Sequence, residues 1–208
     1  MRLSILIIAR TEEACAVAAA RAPPGADEIV VGWNPPDVPG VHPAHARNLV
    51  ARASRGDVLL FLDDDIHAQG DLRSVDPGYL EWMLPIWRDG TGDPTTQGSL
   101  NLANGLAAFG SWMGTIGGFV GVRRELLERV GGWPVAGLED VGLGRRLRAL
   151  GARPRVCGVV ATALRPMPSA ADALRRAPDW LNFPRPHSIP TRVYRPVTTT
   201  PGMVYTPG

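Results

Sequence analysis

Three consecutive aspartates, Asp63-Asp64-Asp65, end the apolar run Val58-Leu59-Leu60-Phe61-Leu62, which reads as a buried strand. Carboxylates held a few ångströms apart repel one another, and burial raises their pKa values further. A hard divalent cation such as Mg2+ or Mn2+ resolves that conflict, because it takes carboxylate oxygens and often bridges them to phosphates. The competing structural reading is a strand-end turn or N-cap, where aspartates are common. A second acidic pair, Glu139-Asp140, opens a helical pattern. Capping and dipole complementation account for one acid there and leave the other without a reason. Trp133, between glycines and this pair, offers a surface suited to the C–H face of a sugar ring; a core tryptophan is the equal alternative. Gly117-Gly118 permit close backbone approach to a ligand, or mark a plain turn or bulge.

The elements that must position these residues follow from hydrophobic patterning. Residues 3–9 form a continuous isoleucine-rich run, as in a central strand covered on both faces. Residues 12–21 are alanine-rich and helical, ended by Pro23-Pro24-Gly25. Residues 27–31 read as a second strand, residues 44–55 as a helix stopped by Gly56, and residues 57–62 as a third strand. This βαβαβ order predicts a parallel sheet with right-handed crossovers and a ligand at its carboxyl edge. Residues 79–87 read as a short helix, and the weakly patterned stretch 88–114 as a lid or acceptor loop. Strand 115–122, helix 124–130, an amphipathic helix 139–150 and a last strand 155–161 complete the expectation. From Arg165 onward prolines are dense, and only residues 170–176 have helical character.

The 208 residues fit one domain of ordinary globular composition, 45% apolar and 20% charged. Two cysteines imply no disulfide framework and suit a reducing cytoplasm. The N-terminal apolar run is too short for a signal or membrane segment, and no later run reaches spanning length. Every basic residue is arginine, and arginine's planar fork suits phosphate. These arginines are scattered among acids with no basic stripe, which argues against nucleic-acid binding.

The segments Ala46-Arg47-Asn48-Leu49 and Gly56-Asp57 leading into Asp63-Asp64-Asp65 resemble the family 2 glycosyltransferases of the GT-A fold. So do Gly117-Gly118-Phe119, Val130-Gly131-Gly132-Trp133 and Leu138-Glu139-Asp140, the last leading into an arginine-bearing helix. The resemblance covers residues 3–160 and carries its specificity in the order and spacing of five pieces. It implies a single α/β, Rossmann-like GT-A domain with a mostly parallel sheet over residues 1–165, split into a nucleotide-binding half (1–66) and an acceptor half (67–165). A Pro-rich extension, 166–208, would pack on or cover the site.

The resemblance also implies a nucleotide-diphosphate sugar donor, an acceptor that is a small molecule or glycan, and Mn2+ or Mg2+. Asp63 would contact the donor's ribose or sugar and share the metal; Asp65 would coordinate it; Asp64 is the variable middle position on the donor side. Ala9, Arg10 and Thr11 match the segment against the base, and Arg47 would lie near the nucleotide or the phosphates. Glu139 and Asp140 would stand beside the acceptor hydroxyl, with Asp140 matching the usual general base of inverting members. A carboxylate at a helix start is suited to take the acceptor proton as the anomeric carbon becomes positive.

The chain departs from the family at two places. The aspartate that usually ends the second strand is replaced by Gly32-Trp33-Asn34, so Trp33 stacking and an Asn34 hydrogen bond are the substitutes expected to hold the base. No histidine follows the last strand; Arg165 stands there to neutralise the leaving diphosphate, or His187 folds back from the tail as a metal ligand. A lone histidine in such a tail is more often simply exposed. His42, His45 and His67 lack ligand spacing and are read as structural or surface residues. The rival readings are a sugar-phosphate nucleotidylyltransferase, which the absence of glycine after the first strand disfavours, and a silent nucleotide-sugar-binding module. Oligomeric state, a homodimer included, is left open by the sequence.

Overall fold

The computed structural model describes residues 1–33, 42–72, 77–78, 80–89, 118–135 and 139–165, and the backbone of 193–196 and 205–207. Strand β1 (Leu3–Ala9) is buried along its whole length. It pairs in parallel with β2 (Glu28–Trp33) on one side and β3 (Val58–Asp63) on the other. Its side chains alternate between two cores. Leu3, Ile5, Ile7 and Ala9 join Val58, Leu60 and Leu62 on one face. Leu6 and Ile8 join Leu59 and Phe61 on the other. This period of two explains why both strands read as unbroken apolar runs: each face has its own helical cover. Helix α1 (Glu12–Ala20) lies on the first face through Cys15, Ala18 and Ala19. Helices α2 (Pro43–Ala53), α3 (Arg124–Arg129) and α4 (Glu139–Ala149) lie on the second, through Val50, Leu126, Leu127, Leu143 and Leu147.

Helix starts follow local chemistry. Thr11 caps α1, its hydroxyl accepting from the Ala14 N–H at 3.1 Å. His42 caps α2 through Nδ1, which accepts from Ala44 N–H at 3.2 Å, and Pro43 takes the first helical position. The expected structural reading of His42 therefore takes the form of an N-cap.

The remaining strands are β4 (Ile66–Gln69), β5 (Glu81–Asp89), β6 (Phe119–Arg123), β7 (Arg153–Ala163), β8 (Val193–Pro196) and β9 (Tyr205–Pro207). They build one sheet in the order β4-β7-β5-β6-β3-β1-β2-β8-β9. The expectation of a mostly parallel sheet is corrected: β1–β2, β1–β3 and β5–β7 are parallel, while β3–β6, β5–β6, β4–β7, β2–β8 and β8–β9 run antiparallel. The parallel βαβαβ unit ends at β3, and β6 enters beside it from the opposite direction.

The expected helix at 79–87 is also corrected, because residues 81–89 form β5. Trp82 and Leu84 enter one core while Met83 and Trp87 enter the other, a strand's alternation that an all-apolar stretch conceals in sequence. Pro85 lacks an N–H, and the β5–β7 register skips between Leu84 and Ile86 around it. The edge strand β4 and the pairing of β8 with β2 were not expected from sequence. The helix expected at 170–176 and most of the lid stretch 88–114 lie outside the described residues. No helix among the described residues is long and apolar enough to cross a membrane.

Candidate functional site

The register of the parallel unit sets Ala9 beside Trp33 and Ile8 beside Asp63, so β1, β2 and β3 deliver the first site residues to one carboxyl edge. There the aspartate triplet is pinned by three different strand ends. Asp63 N–H donates to Gly118 C=O at 3.2 Å, Asp64 N–H to Ile8 C=O at 3.2 Å, and Leu164 N–H to Asp65 C=O at 2.8 Å. Gly118 is packed closely: an added Cβ would meet Ile66 and Trp87 at 3.3 Å. The Gly56-Asp57 lead-in serves the fold. Gly56 N–H donates to Ser4 Oγ at 2.9 Å, and Asp57 Oδ2 accepts from Arg2 N–H at 2.8 Å.

Arginines surround the triplet. Arg10 Nη2 lies 3.3 Å from Asp65 Oδ2, and Arg165 reaches both Asp64 and Asp65 at 3.8 Å. Both guanidiniums are about half exposed, so these pairs contribute modestly to stability and are easily exchanged for another anion. Asp64 turns inward, its carboxylate 2% exposed and accepting from Arg10 N–H at 3.2 Å. It thereby anchors the end of β1. Asp65 has its pKa raised, first by burial and then by the charges of Asp63 and Asp64, against the opposing pull of Arg10 and Arg165.

Arg47, on α2, is the buried cation of the site, 4% exposed. Nη2 donates to Asp63 Oδ1 at 2.8 Å and Nη1 to Glu139 Oε1 at 2.7 Å. Burial works against its charge, but Asp63 and Glu139 outweigh that and hold it more firmly protonated than an ordinary arginine. The guanidinium lies over the Trp133 ring at 4.6 Å, and Trp133 meets Phe61 edge-on at 5.1 Å. Trp133 is 1% exposed, so the sugar-stacking expectation gives way to the core alternative: this ring supports Arg47. Sequence reading assigned no role to Asn48, which holds that ring in place. Its amide donates to Trp133 C=O at 2.9 Å and accepts from Trp133 N–H at 2.8 Å. Gly131 and Gly132 turn the loop with φ of 76° and 77°, and a Cβ on Gly132 would stand 2.6 Å from Asn48 Oδ1.

Asp140 sits in the first turn of α4, its Oδ1 accepting from Val141 N–H at 2.7 Å. The fold thus brings together Ala9, Arg10, Asp63, Asp64, Asp65, Arg47, Glu139 and Arg165. Thr11 is spent on capping α1, and Trp33 closes β2 partly buried against the core. Asn34, Gly117 and His187 lie outside the described residues. Among the described residues no group of three or more His, Cys, Asp or Glu side chains gathers as a metal cage. Asp63 and Asp65 nevertheless fit a hard dication whose other ligands are phosphate oxygens and water. They offer only oxygen donors, and a cation would offset both the burial and the like charges that raise Asp65's pKa.

No protein-family model matches the chain, and no curated protein sequence does. Solved structures share its fold, and they are GT-A type glycosyltransferases. The mannosyltransferase PcManGT from Pyrobaculum calidifontis, in complex with GDP-Man and Mn2+, matches with a TM-score of 0.54 at 15% identity, over 84% of this chain and 59% of that one. TarS of S. aureus matches with a TM-score of 0.53 at 15% identity, over 78% of this chain and 37% of that one. Glucosyl-3-phosphoglycerate synthase from Mycobacterium tuberculosis, bound to Mn2+, UDP and glucosyl-3-phosphoglycerate, matches with a TM-score of 0.50 at 20% identity, over 85% and 75% of the two chains. The chain therefore spans little more than a third of the length of TarS and under two thirds of that of the mannosyltransferase.

Proposed function

We propose that this chain, whose fold is that of the GT-A glycosyltransferases, transfers a sugar from a nucleotide-diphosphate donor to an acceptor hydroxyl with a divalent metal. The observation that carries the reading is the convergence of Asp63, beside Asp65, and Glu139, beside Asp140, from distant parts of the chain, with Arg47 bonded to both Asp63 and Glu139. A fold-stabilising role needs no such meeting at the carboxyl edge of a sheet, where open α/β folds bind ligands. Structural neighbours carrying Mn2+ with GDP-Man or UDP support the donor class.

In the proposed reaction the acceptor hydroxyl gives its proton to Asp140 as its oxygen attacks the anomeric carbon. The bond from that carbon to the diphosphate oxygen breaks on the opposite face, which inverts the configuration. Arg10 and Arg165, held loosely on the triplet, are placed to exchange their carboxylates for the departing diphosphate. Asp63 and Asp65 would hold the metal, which supplies further neutralisation of that leaving group. The rival nucleotidylyltransferase reading is poorly served, since β1 runs through Arg10 straight into the Thr11 cap with no glycine-rich phosphate loop.

The test is calorimetric titration of UDP and GDP with and without Mn2+. Metal-dependent binding of one nucleotide, lost in Asp65→Asn, is the expected result. Binding of neither in the presence of metal sinks the reading.

A further inference from the structure

We infer that Arg47 and Glu139 form a positioning pair that fixes the acceptor-side helix α4 against the donor-side carboxylate Asp63, so that Glu139 orients Asp140 and takes no proton itself. The inference deepens the transferase reading and rests on it. Arg47 joins residues 16 and 92 positions away in sequence through its two terminal nitrogens, at 2.8 and 2.7 Å. One N–H on each terminal nitrogen is thereby committed to a carboxylate, and the buried Nε is left without a partner among the described residues. The fork's plane is set in turn by Trp133 at 4.6 Å, and Trp133 by Asn48 and Phe61. A lysine has one point charge and cannot span both carboxylates in this way.

The consequence for the acidic pair is a division of labour. Glu139 Oε1 is engaged by a buried cation, so its carboxylate is committed to holding the first turn of α4. Asp140, the next residue, is carried by that same turn. Donor placement at Asp63 and acceptor placement at Asp140 then share one rigid connection, and a small shift in it misaligns the reacting atoms without removing any group that binds the donor.

The test compares Glu139→Gln, Glu139→Ala and Arg47→Lys. It uses whichever of UDP-glucose, UDP-N-acetylglucosamine and GDP-mannose the wild type turns over best with Mn2+. Glutamine keeps an oxygen for the Arg47 N–H. Its kcat is expected within about 5-fold of wild type, while Glu139→Ala and Arg47→Lys fall by about 30- to 100-fold with donor KM changed less than about 3-fold. Hydrogen–deuterium exchange over residues 139–149 should quicken in Glu139→Ala and Arg47→Lys and stay unchanged in β1. If Glu139→Gln is as inactive as Glu139→Ala, or if α4 exchange is unmoved in both of those variants, the positioning pair is overturned. A wild type silent with all three donors sinks the transferase reading instead, and the exchange measurement still decides the pair.

Discussion

Replacing Asn48 by alanine removes both hydrogen bonds that hold the Trp133 backbone, at 2.8 and 2.9 Å. Each is worth about 1 kcal/mol net, and more where the abandoned groups stay dry. Asn48 borders a cavity of about 380 Å³ between α2 and α3, lined also by Arg52, Glu128 and Gly131. Water entering there re-satisfies part of the loss, so the expected destabilisation is about 2 kcal/mol rather than 4. For a chain of this size that lowers Tm by about 4–8 °C. Gly132→Ala provides the internal control. In the wild-type background its Cβ stands 2.6 Å from Asn48 Oδ1 and its φ of 77° is strained. In the Asn48→Ala background the clash is gone and only the left-handed backbone strain of about 1–2 kcal/mol remains. Urea denaturation of the four proteins closes the cycle, and Gly132→Ala must cost less when Asn48 is absent. Strict additivity, or an Asn48→Ala loss below about 0.5 kcal/mol, refutes the idea that this amide pins the loop.

Gly56→Ala places a Cβ against Ser4 Oγ and 2.7 Å from Ser4 N. Because β1 is buried and cannot shift, the expected loss is about 2–3 kcal/mol, read as a lower urea midpoint; an unchanged midpoint contradicts the packing described. Cys15 and Cys157 are both buried and outside any disulfide, and burial pushes the Cys157 thiol up. Ellman's reagent should find neither in the native protein at neutral pH and both after guanidinium treatment; rapid native reaction at either counts against this core.

Much of residues 1–66 was legible because local pattern and tertiary role agree there. Val58–Asp63 is a strand in isolation and in the sheet, and the triplet falls at its end because the apolar run stops there. Residues 79–87 misled because an apolar stretch buried on both faces carries neither helix nor strand periodicity, and Pro85 was the one local clue. β4 was missed because a four-residue edge strand exists only by pairing with β7. At the site, residue types signalled acidity correctly, but partners set by three-dimensional packing were hidden. That Asp64 turns inward, that Arg47 is enclosed by two carboxylates, and that Trp133 supports it depend on residues up to 92 positions apart.

The central claim is that the two acidic sets form one transferase site with Asp140 as its base. The most direct measurement follows nucleoside diphosphate release from a panel of UDP- and GDP-sugars with Mn2+, in wild type and Asp140→Asn, alongside nucleotide binding. The account predicts metal-dependent release by wild type. In Asp140→Asn it predicts a fall of about 100-fold or more with nucleotide affinity preserved. Turnover by Asp140→Asn at the wild-type rate contradicts it, as does turnover that requires added pyrophosphate and yields nucleoside triphosphate and sugar 1-phosphate in place of a nucleoside diphosphate.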